Sequence, residues 1–267
     1  MKKTCIAAVL ACGLTGGSLF AGNIVLTGHD DDLHQSANAM AQISAMVSFA
    51  RSGSSLRVLT FDAGSELTSA LTTLGIAFTN VDPNVAANVT DVLFNNATYS
   101  AFLVASDSSC GGCDNSAAGE ANIAAHATAI GNFLNAGGGI VGFAGASSAN
   151  YYDFVPQTAS SVGGAPSSGY TATGIFGIPA VNGDPTHNLF WNPGTHGESS
   201  FFQVAEVNST GNGTIPPPAA TTLVCNGCTV TGGVISGGTP EPATYLFMAG
   251  GLGCLALLKK FRTVRGG

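Results

Sequence analysis

The chain has 267 residues, enough for one domain with terminal segments. Apolar residues make up 45% of it and charged residues only 9%, so a buried core is within reach and a densely charged surface is excluded. Between residues 22 and 239 fourteen acids face two bases, Arg51 and Arg57; this net of about −12 excludes nucleic acid as a partner, because that binding needs cations to neutralise phosphates.

Residues 1–21 read as an export signal. "MKK" is a positive start, "TCIAAVLACGL" an apolar run, and "SLFA" ends in a small residue that sets cleavage after Ala21. Lipidation of Cys12, in "VLAC", is a second processing route.

From residue 22 the pattern alternates. "NIVLTGHDDD" opens as a strand, and "SANAMAQISAMVSFARSG" follows as a helix capped by Ser36, with Met40, Ile43, Met46, Val47 and Ala50 at helical spacing. "LRVLTFDAG" predicts a strand, "SELTSALTTLG" a helix stopped by Gly75, and "IAFTNVDP" a strand. "NVTDVLFN" predicts a short helix, "YSAFLVAS" a strand, "GEANIAAHATAIGNFLNAGG" one long helix and "GIVGFAGAS" a strand. Strands alternating with helices over 22–150 predict an α/β domain. The expected architecture is a three-layer, flavodoxin-like, mostly parallel sheet.

Residues 151–235 read as a β- and loop-rich extension of the same domain. "TTLVCNGCTVTGGVI" suggests a hairpin across Cys225 and Cys228. Residues 236–242 form a linker, 243–258 an uncharged apolar run and 259–267 a basic tail. As a helix the apolar run spans roughly 24 Å, a marginal fit to a hydrocarbon core of about 30 Å. The cations after it are expected to stay cytoplasmic.

The ending "TPEPATYLFMAGGLGCLALLKKFRTVRGG" resembles a PEP-CTERM sorting signal, with Pro240, Glu241 and Pro242 as its motif, then a short transmembrane helix and a terminal basic cluster. The resemblance implies recognition by an exosortase-type enzyme in bacteria that make exopolysaccharide. It implies transient anchoring in the inner membrane, then attachment to the cell surface or secretion. Exopolysaccharide is the further partner it suggests.

The stretch "NFLNAGGGIVGFAGAS" is similar to the class I glutamine-amidotransferase-like fold, in particular to ThuA-like proteins. Active amidotransferases place a nucleophilic Cys after this strand. Here Ala144 occupies that place and cannot attack a carbonyl, so the fold carries over and the activity does not.

In an open α/β sheet, ligands favour the carboxyl ends of the strands. Those ends are polar here: "GHDDDLH" after the first strand, Asp62 after the second, and Asp107 and Asp114 after the fourth. His29, Asp31, Asp32 and His34 are the candidate ligands of a divalent cation such as zinc, with a bound water as nucleophile. "GHDDDLH" also resembles the H-P-D-D-E motif of LmbE-like zinc deacetylases, on which His29 and Asp32 would be ligands and Asp31 the base. Asp30 and Leu33 depart from that motif, and the later H-x-x-H pair is absent because His126, His187 and His196 stand apart. The competing reading gives the three acids a helix-capping role.

Cys110, Cys113, Cys225 and Cys228 form two C-x-x-C pairs. Outside the cytoplasm two local disulfides, Cys110–Cys113 and Cys225–Cys228, are expected; a four-Cys zinc site and redox chemistry at Cys110 and Cys113 are the alternatives. No complete catalytic set emerges. The expected function is therefore a non-catalytic structural or binding role at the cell surface or in the matrix. The alternative is a metal-dependent, deacetylase-like hydrolase acting on surface saccharides.

Overall fold

The computed structural model describes residues 21–107, 115–144, 152–155, 162–163, 168–182, 189–190, 201–211 and 217–236. These lie in one compact unit, residues 1–237; the expected sorting motif, the apolar run and the basic tail lie outside the described residues. The first half runs β1 (Gly22–Thr27), α1 (Asp31–His34), α2 (Ala37–Ala50), β2 (Val58–Phe61), α3 (Glu66–Thr73), β3 (Phe78–Val81), β4 (Ala101–Val104), α4 (Ala117–Ala124), α5 (Ala127–Asn135) and β5 (Gly139–Gly142). The second half adds β6 (Val162–Gly163), β7 (Tyr170–Ala172), β8 (Leu189–Phe190), β9 (Gln203–Asn208), β10 (Ala219–Thr231) and β11 (Val234–Ser236).

The fold is mixed α/β around a central sheet in the order β3-β2-β4-β5-β1-β10-β9-β7, with β11 paired to β10. The first five strands are mutually parallel. From β1 outward the pairing turns antiparallel, through β10 to β9 and β7. Strands β6 and β8 form a separate antiparallel pair.

Strands β1, β2, β4 and β5 are buried along their whole length, which is why they read as short continuous apolar runs rather than as alternating ones. Their side chains still alternate between faces. Val25, Val58, Leu103 and Val141 pack with Ile43, Met46 and Val47 of α2 and with Leu67 and Leu71 of α3. Ile24, Leu26, Phe61, Phe102 and Ile140 join Ile130, Phe133 and Leu134 of α5, together with Phe94, Tyr152 and Phe154. Each fully buried side chain of this kind contributes about 1.5–3 kcal/mol.

The Gly137-Gly138-Gly139 run is explained by close approach. A Cβ on Gly138 would lie 2.2 Å from the Phe133 ring, and one on Gly139 would lie 2.1 Å from the Ala50 carbonyl oxygen. Gly137 ends α5 in a left-handed conformation, φ 95°. The run lets the end of α2 and the start of β5 meet.

Three expectations are corrected. The long helix is broken at His126, whose backbone leaves the helical region and whose Nδ1 sits 2.6 Å from Asp91 Oδ1. The segment around Asn88 forms two 3₁₀ turns, Ala86–Asn88 and Asp91–Leu93, rather than an α-helix. The expected hairpin at Cys225 and Cys228 is a bulge inside the continuous strand β10: Cys225 lies opposite Ile24 and Cys228 opposite Gly22. The hairpin turn comes later, at Gly232-Gly233, where both residues have positive φ and the turn feeds β11. Cap Ser36 is where the sequence puts it, its side chain accepting from Ala39 N.

Candidate functional site

The carboxyl ends of β1, β2 and β4 bring the sequence-flagged polar residues to one end of the sheet. After Thr27 the chain continues alongside its neighbours for two residues: Gly28 N donates to Thr221 O at 2.8 Å, and Ala144 N donates to His29 O at 3.0 Å. That fixes His29 between β5 and β10. Ala144 is fully buried.

His29 is fully buried and its Nε2 lies 2.5 Å from Glu206 Oε2 on β9. Glu206 also accepts from Val181 N at 2.7 Å, Thr221 Oγ1 at 3.0 Å and Thr222 Oγ1 at 3.2 Å. Burial pushes the Glu206 carboxyl up, but the His29 charge and these hydrogen bonds outweigh it and hold the group below the usual carboxylate range. Tyr170 packs edge-on against the imidazole, ring centroids 4.9 Å apart. The arrangement is a buried, multiply hydrogen-bonded ion pair that ties the parallel half of the sheet to the antiparallel half.

The acids of "GHDDDLH" are buried and do not cap α1 through their side chains. Asp30 occupies the N-cap position without a side-chain hydrogen bond to the helix, and its Oδ2 lies 3.2 Å from His34 Nε2 one turn on. Asp32 Oδ2 accepts from Ser106 N at 2.8 Å, while its Oδ1 is buried without a hydrogen-bond partner. Burial, with a further push from the Asp62 charge, raises the Asp32 carboxyl to about 7 against the lowering effect of Ser106. Capping falls to Asp62 instead: it accepts from Gly64 N and from Thr68 N in the first turn of α3, both at 2.9 Å.

Three further residues organise this end. Asn115 donates to Phe61 O and Ala105 O and accepts from Ala63 N, bracing the tips of β2 and β4. Glu120, in the first turn of α4, is pushed up to about 10 by burial, then by the charges of Asp107 and Asp153, so it is protonated at neutral pH. Tyr152 donates to Thr27 O at 2.5 Å and closes the end of β1.

Of the candidate ligands, Asp31 and Asp32 share the first turn of α1, His34 ends it, and His29 turns to Glu206. His126 is on a different connection, facing Asp91; His187 and His196 lie outside the described residues. Among the described residues no three His, Cys, Asp or Glu side chains are grouped so as to hold a metal ion. Cys225 and Cys228 are joined as a disulfide with Cα atoms 5.9 Å apart, while Cys110, Cys113 and Asp114 lie outside the described residues.

Sequence reasoning missed Glu206, Asn115 and Glu120. A signal exists for the two glutamates. Glu206 interrupts the apolar run of "FFQVAEV", and Glu120 lies three residues before Ile123 on the buried face of α4. Asn115 gives no such signal, because its partners come from two separate chain segments, the ends of β2 and β4.

Comparison with protein-family models, with curated proteins and with solved structures finds no match for this chain.

Proposed function

We propose that this chain is an exported, exosortase-sorted protein of the cell surface or extracellular matrix, and that its α/β domain has a structural or binding role rather than a catalytic one. The observation that carries the non-catalytic reading is the His29–Glu206 pair. The imidazole best placed by sequence to ligate a metal is fully buried and engaged by a carboxylate that three other donors also hold. A hydrolase built on His29 and Asp32 would need that pair broken and Asp32 turned from the Ser106 amide. Sorting is supported by the Pro240-Glu241-Pro242 motif, the apolar run and the basic end. Among the described residues no helix is long and apolar enough to cross a membrane, so the anchor in this reading is the segment 243–258.

The finer fold reading belongs to the same proposal: a three-layer, flavodoxin-like domain of the glutamine-amidotransferase-like kind. Setting β1 aside, the parallel strands run β3-β2-β4-β5, the order of the first four flavodoxin-like positions, and β1 takes the fifth place. The two apolar clusters on opposite sheet faces support the layering. In this reading the partners are the sorting enzyme, the membrane before processing, and exopolysaccharide after it.

Mass spectrometry of the surface and secreted fractions tests the sorting. The expected protein starts near Gly22 and has lost the residues after the Pro-Glu-Pro motif; recovery of the intact chain from the cytosol overturns the reading. Stoichiometric zinc in the purified protein, with deacetylase activity on N-acetylated sugars, would replace the non-catalytic role with the hydrolase.

A further inference from the structure

A buried run of carboxamide, hydroxyl and carboxylate groups joins α2 to the sheet. Thr27 ends β1, Gln42 lies within α2, Thr222 lies opposite Thr27 on β10, and Glu206 lies on β9. All four are fully buried. Thr27 Oγ1 is 3.3 Å from Gln42 Oε1 and 3.2 Å from Thr222 Oγ1, and it accepts from His29 N at 3.3 Å. Thr222 Oγ1 is in turn 3.2 Å from Glu206 Oε2. Thr27 and Gln42 are both held from behind: Tyr152 donates to Thr27 O at 2.5 Å, and Gln42 Nε2 donates to Pro179 O at 2.8 Å.

The protons along this run point one way. Glu206 is ionised and can only accept, so Thr222 donates its single proton to it. The Thr222 oxygen then accepts from Thr27, whose own single proton is thereby engaged. A lone pair of Thr27 Oγ1 is what faces the Gln42 carboxamide. The carboxamide carbon lies one C=O bond of about 1.23 Å beyond Oε1, hence within about 4.5 Å of Thr27 Oγ1. A near-attack contact is about 3–3.5 Å, so a shift on the order of 1 Å closes the gap.

We propose that Thr27 and Gln42 condense into an intramolecular ester that staples α2 to β1. Thr27 Oγ1 bonds to Gln42 Cδ while its proton passes through Thr222 Oγ1 to Glu206 Oε2. The tetrahedral centre collapses by breaking the Cδ–Nε2 bond. The proton returns to that nitrogen, and one ammonia leaves. Nothing is oxidised or reduced, and no co-reactant is needed. The leaving nitrogen faces Pro179, which is half-buried, so ammonia departs toward solvent on that side. Burial of all four residues keeps water from hydrolysing the ester. The proposal stands on these contacts alone and does not depend on the sorting reading.

Mass spectrometry of the folded full chain, denatured and then cut before its aspartates, tests this. Cleavage before Asp30 and Asp32 separates the peptide ending at His29, which carries Thr27, from the peptide beginning at Asp32, which carries Gln42. The two are expected to stay joined, at the sum of their masses less one ammonia, and to part on treatment with hydroxylamine. Thr27→Val and Gln42→Leu should each give separate peptides. Thr222→Val should slow the linking by about 10²-fold or more, while Thr222→Ser, which keeps the hydroxyl, restores it. Separate peptides with an intact carboxamide at Gln42 in the folded native chain overturn the proposal, as does a linked pair in Thr27→Val. Full linking in Thr222→Val, or none in Thr222→Ser, overturns the proton route through Thr222 to Glu206.

Discussion

Glu206 and Glu120 are both buried carboxyl groups on the same domain, and their surroundings drive them to opposite protonation states. Glu206 meets a cation and three hydrogen-bond donors, so it stays ionised. Glu120 meets two acids and has an oxygen buried without a partner, so it keeps its proton. Removing one member of a buried pair leaves the other charge uncompensated, which costs about 3–5 kcal/mol. Glu206→Ala is accordingly expected to lower the unfolding free energy by about that amount in a urea titration, with His29→Ala behaving alike. Glu120→Gln replaces a protonated acid by a neutral group of the same shape. It should leave stability at pH 7 unchanged or raise it; a loss as large as that of Glu206→Ala would show that Glu120 is ionised and paired.

At the scale of elements, strand β10 carries the second half of the fold. It pairs with β1, β9 and β11, and it contains a disulfide across its own bulge. The bulge is also held from the other strand: Gly227 N donates to Asn23 Oδ1, while Asn23 Nδ2 donates to Phe49 O and Ser52 Oγ. Cys225 and Cys228 are fully buried against the cluster under α5. Replacing both by Ala is expected to keep the fold and to accelerate exchange of the amides at residues 225–231. Unchanged protection there would show that Asn23 alone fixes the bulge. Gly139→Ala should be far worse, because its Cβ would fall 2.1 Å from a backbone oxygen that cannot move without shifting α2 or β5. Thermal denaturation would show it as a loss of several degrees or as failure to fold.

For the molecule as a whole, the shifted acids set the pH at which it is most stable. Asp32 and Glu120 have raised folded values, about 7 and about 10, against 3.8 and 4.5 for the free groups. Their contribution is fully present below those free values and is lost as pH rises through the folded ones. Glu206 works the other way: its lowered value contributes stability above the ordinary range, which is lost as pH falls through it. Stability should therefore peak in acid, at about pH 4–4.5, and decline toward pH 8 by an amount on the order of a few kcal/mol. A melting-temperature profile checks this. Asp32→Asn should flatten the decline up to about pH 7, and a profile that rises from pH 5 to pH 8 would refute the assignment.

The sequence by itself determined the alternation of strands and helices from 22 to 142, because each element writes its own period in neighbouring residues: continuous apolar runs for β1, β2, β4 and β5, and spaced apolar positions for α2. It also determined that the carboxyl ends are polar, and the uneven placing of charge. Only the tertiary structure decided what those polar groups do. His29 and Glu206 are 177 residues apart, and no local pattern announces that β9 and β10 bring them together. The same holds for the break at His126, which goes with contact to Asp91, and for the bulge at Cys225 and Cys228, where pairing with β1 replaced the expected hairpin. Elements follow from short-range periodicity, whereas partners follow from sheet order. The order β3-β2-β4-β5-β1-β10 is settled by packing two buried faces at once, which is a property of the assembled domain.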